Sequence, residues 1–266
     1  MTIIQAIILG IVQGLTEFLP ISSSAHLVLL PKLFGWPQLL DSTTLQVNFD
    51  IALHFGSLIA VVGYFWNDLN KMALSVTGKR QNSSERRLLV FLLIATLPAA
   101  IFGIVFKDFF EQLFDKPLLV AFFLIGTGLI IVLAESAARP HKSLKEMTFS
   151  ESLAVGFGQA LAIIPGISRS GSTISIGIWS GLKRQEAARF SFLLSVPVIL
   201  GATIVSLSDF KFEYLGVTLV GFISSLIMSY LAIKYLISYL KRGNLRIFAL
   251  YCFLAGGFYV IFSTIR

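Results

Sequence analysis

The sequence predicts an all-α integral membrane protein, with six transmembrane helices plus two re-entrant helical hairpins in an inverted-topology repeat. Three observations predict it. Apolar residues fill 56% of the 266 positions and only 13% are charged, where a soluble domain carries roughly 25%. Six apolar runs are long enough to cross a hydrocarbon core, which takes about 20 helical residues. Two further apolar stretches are each broken midway by a proline- and serine-rich tip.

In chain order, the first broken stretch covers 2–33 and is interrupted by Phe18-Leu-Pro-Ile-Ser-Ser-Ser-Ala-His26. Spans are expected near 49–66, 88–106 and 118–135, the second carrying Pro98 inside it. The second broken stretch, 152–180, is interrupted by Pro165-Gly-Ile-Ser-Arg-Ser-Gly-Ser-Thr173. Spans near 190–208, 214–238 and 246–264 complete the chain, with Pro197 inside the first of these. Proline within a span is tolerated where packed neighbours satisfy the freed backbone groups. The start reads as retained rather than as a cleavable signal, since Met1 to Leu9 holds no basic side chain and no small-residue cleavage site follows.

Loop charge orients these elements, because basic residues collect on the cytoplasmic side. The loop 67–87 holds Lys71, Lys79, Arg80, Arg86 and Arg87, and 136–150 holds Arg139, Lys142 and Lys145. Both are assigned inside, and 107–117, with its mixed charges, outside. If 152–180 crossed the membrane once, Lys183, Arg184 and Arg189 would fall outside. If it enters and leaves by one face they stay inside, together with Lys241, Arg242 and Arg246. The loop 209–213, with only Lys211, then falls outside, and so does 31–48, with only Lys32. The chain thus divides into a single membrane domain, 1–266, of two oppositely oriented pseudo-repeats, about 1–135 and 150–266. The similarity of Leu19-Pro-Ile-Ser-Ser-Ser24 to Ile164-Pro-Gly-Ile-Ser-Arg-Ser170 supports the duplication.

The same composition excludes several functions. A net charge of +7 gathered into short loops is a topology signal, so no nucleic-acid partner is expected. Three histidines and one cysteine argue against a Cys/His zinc site, which needs about four ligands. Cys252 lies in an apolar run and has no partner for an internal disulfide.

Ionisable groups at membrane depth are costly and point to function. Away from the span ends they are Glu17, His26, His54 and Arg169, with Gln13 and Gln159 nearby. Gln13 and Glu17, four apart, share one face of a helix. Ser22, Ser23 and His26 crowd the first tip, and Ser168, Arg169, Ser170 and Thr173 the second. If the tips meet near the midplane, a carboxylate, an imidazole, hydroxyls and a guanidinium share one small volume. Arg169 offers a bidentate fork for phosphate, and helix N-termini add anion-binding N–H groups. Such a set suits phosphoryl transfer to or from an amphiphile whose tail stays in the bilayer. Blander roles fit other residues. His54 reads as a hydrogen-bonded packing residue, Asp50 and Glu186 as helix-start residues, and Arg189 and Lys234 as snorkelling cations.

The residues then carry a resemblance. Gln13-Gly-Leu-Thr-Glu17 resembles the Glu/Gln-x-x-x-Glu motif of the undecaprenyl-pyrophosphate phosphatases, the bacitracin-resistance membrane family. Phe18–His26 is similar to the stretch following that motif, and Pro165–Thr173 to the family's Pro-Gly-x-Ser-Arg-Ser-x-x-Thr signature. Phe190-Ser-Phe-Leu-Leu-Ser-Val-Pro197 fits the span that comes next. The resemblance covers essentially the whole chain. It implies a hydrolase of the bacterial inner membrane with its site facing the periplasm. The reaction implied is removal of the terminal phosphate of undecaprenyl (C55) pyrophosphate, recycling the carrier for cell-wall synthesis and conferring bacitracin resistance. It also implies a divalent cation, Mg2+ or Ca2+. By position Glu17, Ser23, His26 and Arg169 would be catalytic. Gln13, Ser22, Ser168, Arg169, Ser170 and Thr173 would bind substrate, and Glu17 with Gln13 the metal. A glutamine at position 13 leaves one fewer carboxylate for that metal. Expected partners are the lipid substrate and the membrane, with a homodimer left open.

The nucleophile is Ser23, His26 or an activated water; Ser23 with His26 as its base is the preferred pairing. The rival reading is a transporter or flippase of polyprenyl phosphate, since paired re-entrant hairpins also build transporters.

Overall fold

A computed structural model describes residues 1–36, 43–76, 83–137, 139–206 and 214–265. Among them are twelve α-helices, one short 3-10 turn (Leu144–Glu146) and no β-strand. Six helices are long and apolar enough to cross a membrane: α3 (Thr43–Tyr64), α5 (Ser83–Val105), α7 (Pro117–Ala137), α10 (Arg184–Ser206), α11 (Leu215–Tyr239) and α12 (Arg246–Ile265). These are the six expected spans, with α3, α5 and α10 starting more than a turn early because their first polar residues are also helical. Lys79, Arg80 and Lys211, used above to orient loops, lie outside the described residues, as does part of the 31–48 stretch.

Both broken stretches are helix–break–helix units. The first is α1 (Ile3–Phe18) and α2 (Ser23–Leu33); the second is α8 (Phe149–Leu161) and α9 (Arg169–Trp179). Each unit opens with a threonine capping box, in which Thr2 pairs with Gln5 and Thr148 with Glu151. The box satisfies two N–H groups that a helix start leaves unpaired.

Two stretches expected as loops are partly helical, α4 (Trp66–Val76) and α6 (Lys107–Phe114). Asp50 does not start a helix; it sits within α3, where its carbonyl accepts from His54. Arg189, expected to snorkel, is paired with Asp68 of α4 at 2.6 Å. Glu186 lies in the first turn of α10 as expected, and also accepts from the Leu144 amide at 3.3 Å.

Small residues set how closely the helices pack. α1 lies chiefly on α11 and α8 on α5. A Cβ on Gly14 would come within 2.5 Å of the Ser225 carbonyl oxygen, and one on Gly156 within 2.8 Å of the Ala95 carbonyl oxygen. Without a water-driven hydrophobic term inside lipid, such backbone proximity and interhelical hydroxyl bonds supply the adhesion. The bonds from Ser225 to the Leu53 carbonyl (2.7 Å) and from Ser229 to Ser57 (2.9 Å) join α11 to α3 in this way. Large side chains such as Leu97, Ile101, Leu254 and Phe258 remain exposed on the outside, as the face of a membrane protein requires.

At the charged ends, ionic contacts tie helices together. Glu135, 1% exposed in its side chain, accepts from Arg184 Nε and Nη2 and from the Leu245 amide. Lys142 and Glu151 pair at 2.6 Å.

Candidate active site

Each break carries a proline, reached differently in the two units. Leu19 precedes a proline, which disfavours helical backbone, and it is extended at φ −69°, ψ 142°. The chain turns through Pro20 and Ile21, and Ser22 caps α2 by accepting from the Ala25 amide. In the second unit the turn runs through Pro165 and Gly166. Gly166 has φ +101°, and a Cβ there would press on the Val120 carbonyl and on Phe123, so glycine is required. Ser168 then caps α9 by accepting from the Gly171 amide at 3.0 Å.

The two elbows brace each other. Ser24 Oγ accepts from the Gly166 amide at 3.2 Å, and Ser170 Oγ donates to the Leu19 carbonyl at 3.0 Å. A further hydroxyl pair lies within each elbow, Ser22 with Ser24 and Ser168 with Ser170, both at 3.2 Å. Thr127 of α7 clamps the second elbow, accepting from the Ser168 amide and donating to the Gly166 carbonyl.

At the meeting point stands Glu17, 8% exposed. Its Oε1 accepts from Arg169 Nη2 at 2.7 Å. Its Oε2 accepts from Ser23 Oγ at 2.7 Å and from Gln13 Nε2 at 3.1 Å. Arg169 also donates to the Ser191 carbonyl at 3.2 Å, with its guanidinium 5.9 Å from the Phe18 ring centre. Ser23 and Arg169 are the first residues of α2 and α9, so two helix N-termini, each with its positive dipole end, converge on one carboxylate.

The structure therefore brings Gln13, Glu17, Ser23 and Arg169 into one bonded network. Ser22, Ser168, Ser170 and Thr173 surround it, but their hydroxyls are engaged by protein. Thr173 Oγ1 donates to the Arg169 carbonyl (2.7 Å) and pairs with Ser191 Oγ (2.6 Å). They shape the elbows and hold Arg169. His26 lies on the flank. Its Nδ1 is 2.7 Å from the Ser22 carbonyl and its Nε2 is 2.7 Å from the Tyr251 hydroxyl. The hydroxyl of Ser23 is thus given to Glu17 and not to His26, the partner expected from sequence.

His54 is hydrogen-bonded as expected and also borders the site. With Nδ1 bonded to the Asp50 carbonyl at 2.8 Å, its Nε2 faces Glu17 Oε2 at 3.9 Å, and its side chain is 38% exposed. Ser24, Ser191, Thr127 and Tyr251 were not singled out by the sequence. Ser24, inside the serine run of the first tip, and Ser191, inside the Phe190–Pro197 stretch, carried a local signal.

The donor set bears on a divalent cation. Among the described residues no three His, Cys, Asp or Glu side chains cluster. Gln13 Oε1, however, is buried without a hydrogen-bond partner beside Glu17. One carboxylate and one free amide oxygen are hard ligands, too few for an all-protein cage. They fit a cation such as Mg2+, which takes most of its ligands from water and substrate phosphate.

A multi-pass helical membrane protein with serine, carboxylate and arginine between two helix N-termini holds the groups that phosphate chemistry uses. The chain belongs to the family described as bacitracin resistance protein BacA, whose sequence model matches residues 6–258. It is 43% identical to a protein named undecaprenyl-diphosphatase from Moorella thermoacetica, over 100% of both chains. A protein of the same name from Rubrobacter xylanophilus is 44% identical over 94% of each chain. Another, from Methanobrevibacter smithii, is 43% identical over 96% of each.

Proposed function

We propose that this protein is a membrane phosphatase converting undecaprenyl (C55) pyrophosphate to undecaprenyl phosphate and phosphate, so recycling the lipid carrier and conferring resistance to bacitracin. One observation carries the mechanism: Glu17 simultaneously accepts from the Ser23 hydroxyl and from Arg169. Ser23 Oγ attacks the terminal phosphorus and passes its proton to Glu17 Oε2, as the bridging P–O bond breaks and undecaprenyl phosphate departs. Water then attacks the phosphoserine; its proton goes to His26, one helical turn beyond Ser23, and Glu17 returns the first proton to Ser23 Oγ. Arg169, with five N–H donors of which two are committed to Glu17 and Ser191, stabilises the charge on the equatorial oxygens. The paired N-termini of α2 and α9 act in the same sense. Glu17 and Gln13 would hold the divalent cation, Mg2+ or Ca2+, which would supply charge neutralisation at the diphosphate.

The proposed architecture is an inverted repeat of two re-entrant hairpins within one membrane domain, 1–135 against 150–266. Supporting it are pairs at one constant offset: Thr2 with Thr148, Gly10 with Gly156, Gln13 with Gln159, Ser22 with Ser168 and Ser24 with Ser170. The packing is reciprocal too, α1 on α11 and α8 on α5. Charges at Arg87, Lys142, Lys145, Arg184 and Arg189 mark the cytoplasmic side, which puts the opening of the first elbow on the periplasmic side of the inner membrane. A flippase would need the phosphate-binding arginine but not a serine hydrogen-bonded to a carboxylate, so the enzyme is the reading favoured.

The test is phosphate release from C55 pyrophosphate by purified protein in detergent, with and without chelator. Ser23→Ala and His26→Ala are assayed side by side. Release that survives Ser23→Ala unchanged sinks the serine mechanism.

A further inference from the structure

The last helix reaches the first elbow through two neighbouring side chains. Cys252 is fully buried, its thiol 3.7 Å from the Pro20 carbonyl. Tyr251 stacks on His26, with ring centres 5.7 Å apart and planes 16° from parallel, and places its hydroxyl 2.7 Å from Nε2. The other ring nitrogen, Nδ1, faces the Ser22 carbonyl at 2.7 Å. A carbonyl oxygen only accepts, so Nδ1 carries the hydrogen and a neutral ring offers Nε2 to the Tyr251 O–H. His26 is 9% exposed and Tyr251 42%, so the phenol is what covers the imidazole on its outer side. A tyrosine hydroxyl in that position needs a polar partner where hydrocarbon offers none. His26 meets that need.

We infer that Tyr251 is a positioning residue for the hydrolysis step: with the Nδ1–H tautomer set by the Ser22 carbonyl, its hydroxyl fixes the plane of the His26 ring and the direction of the Nε2 lone pair, which accepts the proton of the attacking water. The inference rests on the role given to His26 above. Tyr251 touches neither Glu17, Ser23 nor Arg169 through any hydrogen bond among the described residues, so it acts through the imidazole alone. When the headgroup and water arrive, the phenol gives up Nε2 and the ring remains stacked.

The experiment uses the full-length protein in detergent. Steady-state kinetics on C55 pyrophosphate are measured for Tyr251→Phe, His26→Ala and the double variant. Nitrogen-15 histidine spectra of wild type, Tyr251→Phe and His26→Ala identify the His26 signal and its tautomer. Tyr251→Phe keeps the ring and the stack, so folding is preserved while the hydroxyl is lost. It is expected to lower kcat about tenfold, the worth of one hydrogen bond, with KM within about twofold. The Nε2 resonance of His26 is expected to move as the hydroxyl's hydrogen bond is lost, the Nδ1–H tautomer being kept by the Ser22 carbonyl, and the double variant to be no slower than His26→Ala alone. An unchanged kcat in Tyr251→Phe, an unmoved Nε2 resonance, or losses that multiply in the double variant would overturn the inference and leave the role of His26 standing. A His26→Ala protein with full kcat would remove that role, and the inference with it.

Discussion

The two elbows share a frame and differ in their chemistry. Both have a glycine and a glutamine on the entering helix, a proline at the turn, and a Ser-x-Ser pair opening the second helix. In both, the first serine caps that helix and the second bonds to the backbone of the opposite elbow. The reactive groups sit where the match fails. At one constant offset Glu17 corresponds to Ile163, Ser23 to Arg169 and His26 to Ser172. The first elbow thus holds the carboxylate and the serine hydroxyl bonded to it, and the second the guanidinium. The shared frame supplies position, and the residues that differ supply charge.

The largest test of this division is Glu17→Gln. It removes the proton acceptor of Ser23 and the anionic partner of Arg169, and should lower kcat about 10²–10⁴-fold. Near-normal phosphate release would show that the division is wrong. Next comes Arg169→Lys. An ammonium cannot span Glu17 and the Ser191 carbonyl as a planar fork does, so the expected loss is about 10–100-fold, one charge-assisted hydrogen bond. A lysine enzyme of full activity would mean that charge alone suffices.

The matched glutamines sharpen the contrast. Gln13 donates to Glu17, whereas Gln159 donates to the Ala95 carbonyl at 3.3 Å. Gln13→Leu should cost about tenfold in kcat and weaken cation dependence, while Gln159→Leu should leave turnover unchanged. Equal losses at both positions would point to a packing role shared by the pair. The smallest effects belong to the cross-braces. Ser24→Ala and Ser170→Ala should each lower stability by about 1 kcal/mol, seen as a drop of about 2–4 °C in melting temperature. Because both bonds join the same two elbows, the double variant should depart from simple addition.

Much of this was legible in the residues. Long apolar runs located the six spans, and proline with serine located the two breaks, because local backbone chemistry decides both. Gln13 and Glu17 could be placed on one face by helical spacing, and Arg169 stood out by its cost in lipid. What escaped depends on which helices become neighbours. His54 faces Glu17 only because α3 packs beside α1, and Tyr251 meets His26 from a helix 225 residues away. Neither adjacency leaves a trace in a local pattern. The hydrogen-bond partner of Ser23 was missed for a related reason: helical spacing pointed to His26, three residues on along α2, whereas Glu17 reaches Ser23 across the elbow from α1. α4 and α6 were hidden by their charged residues, which served to orient loops and masked a helical period.

The seating of α1 has a consequence for how the protein must be made. Its Gly10 and Gly14 rest against Gly221 and Ser225 of α11, which is synthesised some two hundred residues later. The acid-bearing helix has therefore no permanent seat until most of the chain is in the bilayer. Fragments severed between α7 and α8 should each be inactive and should recover turnover only when produced together in the same membrane.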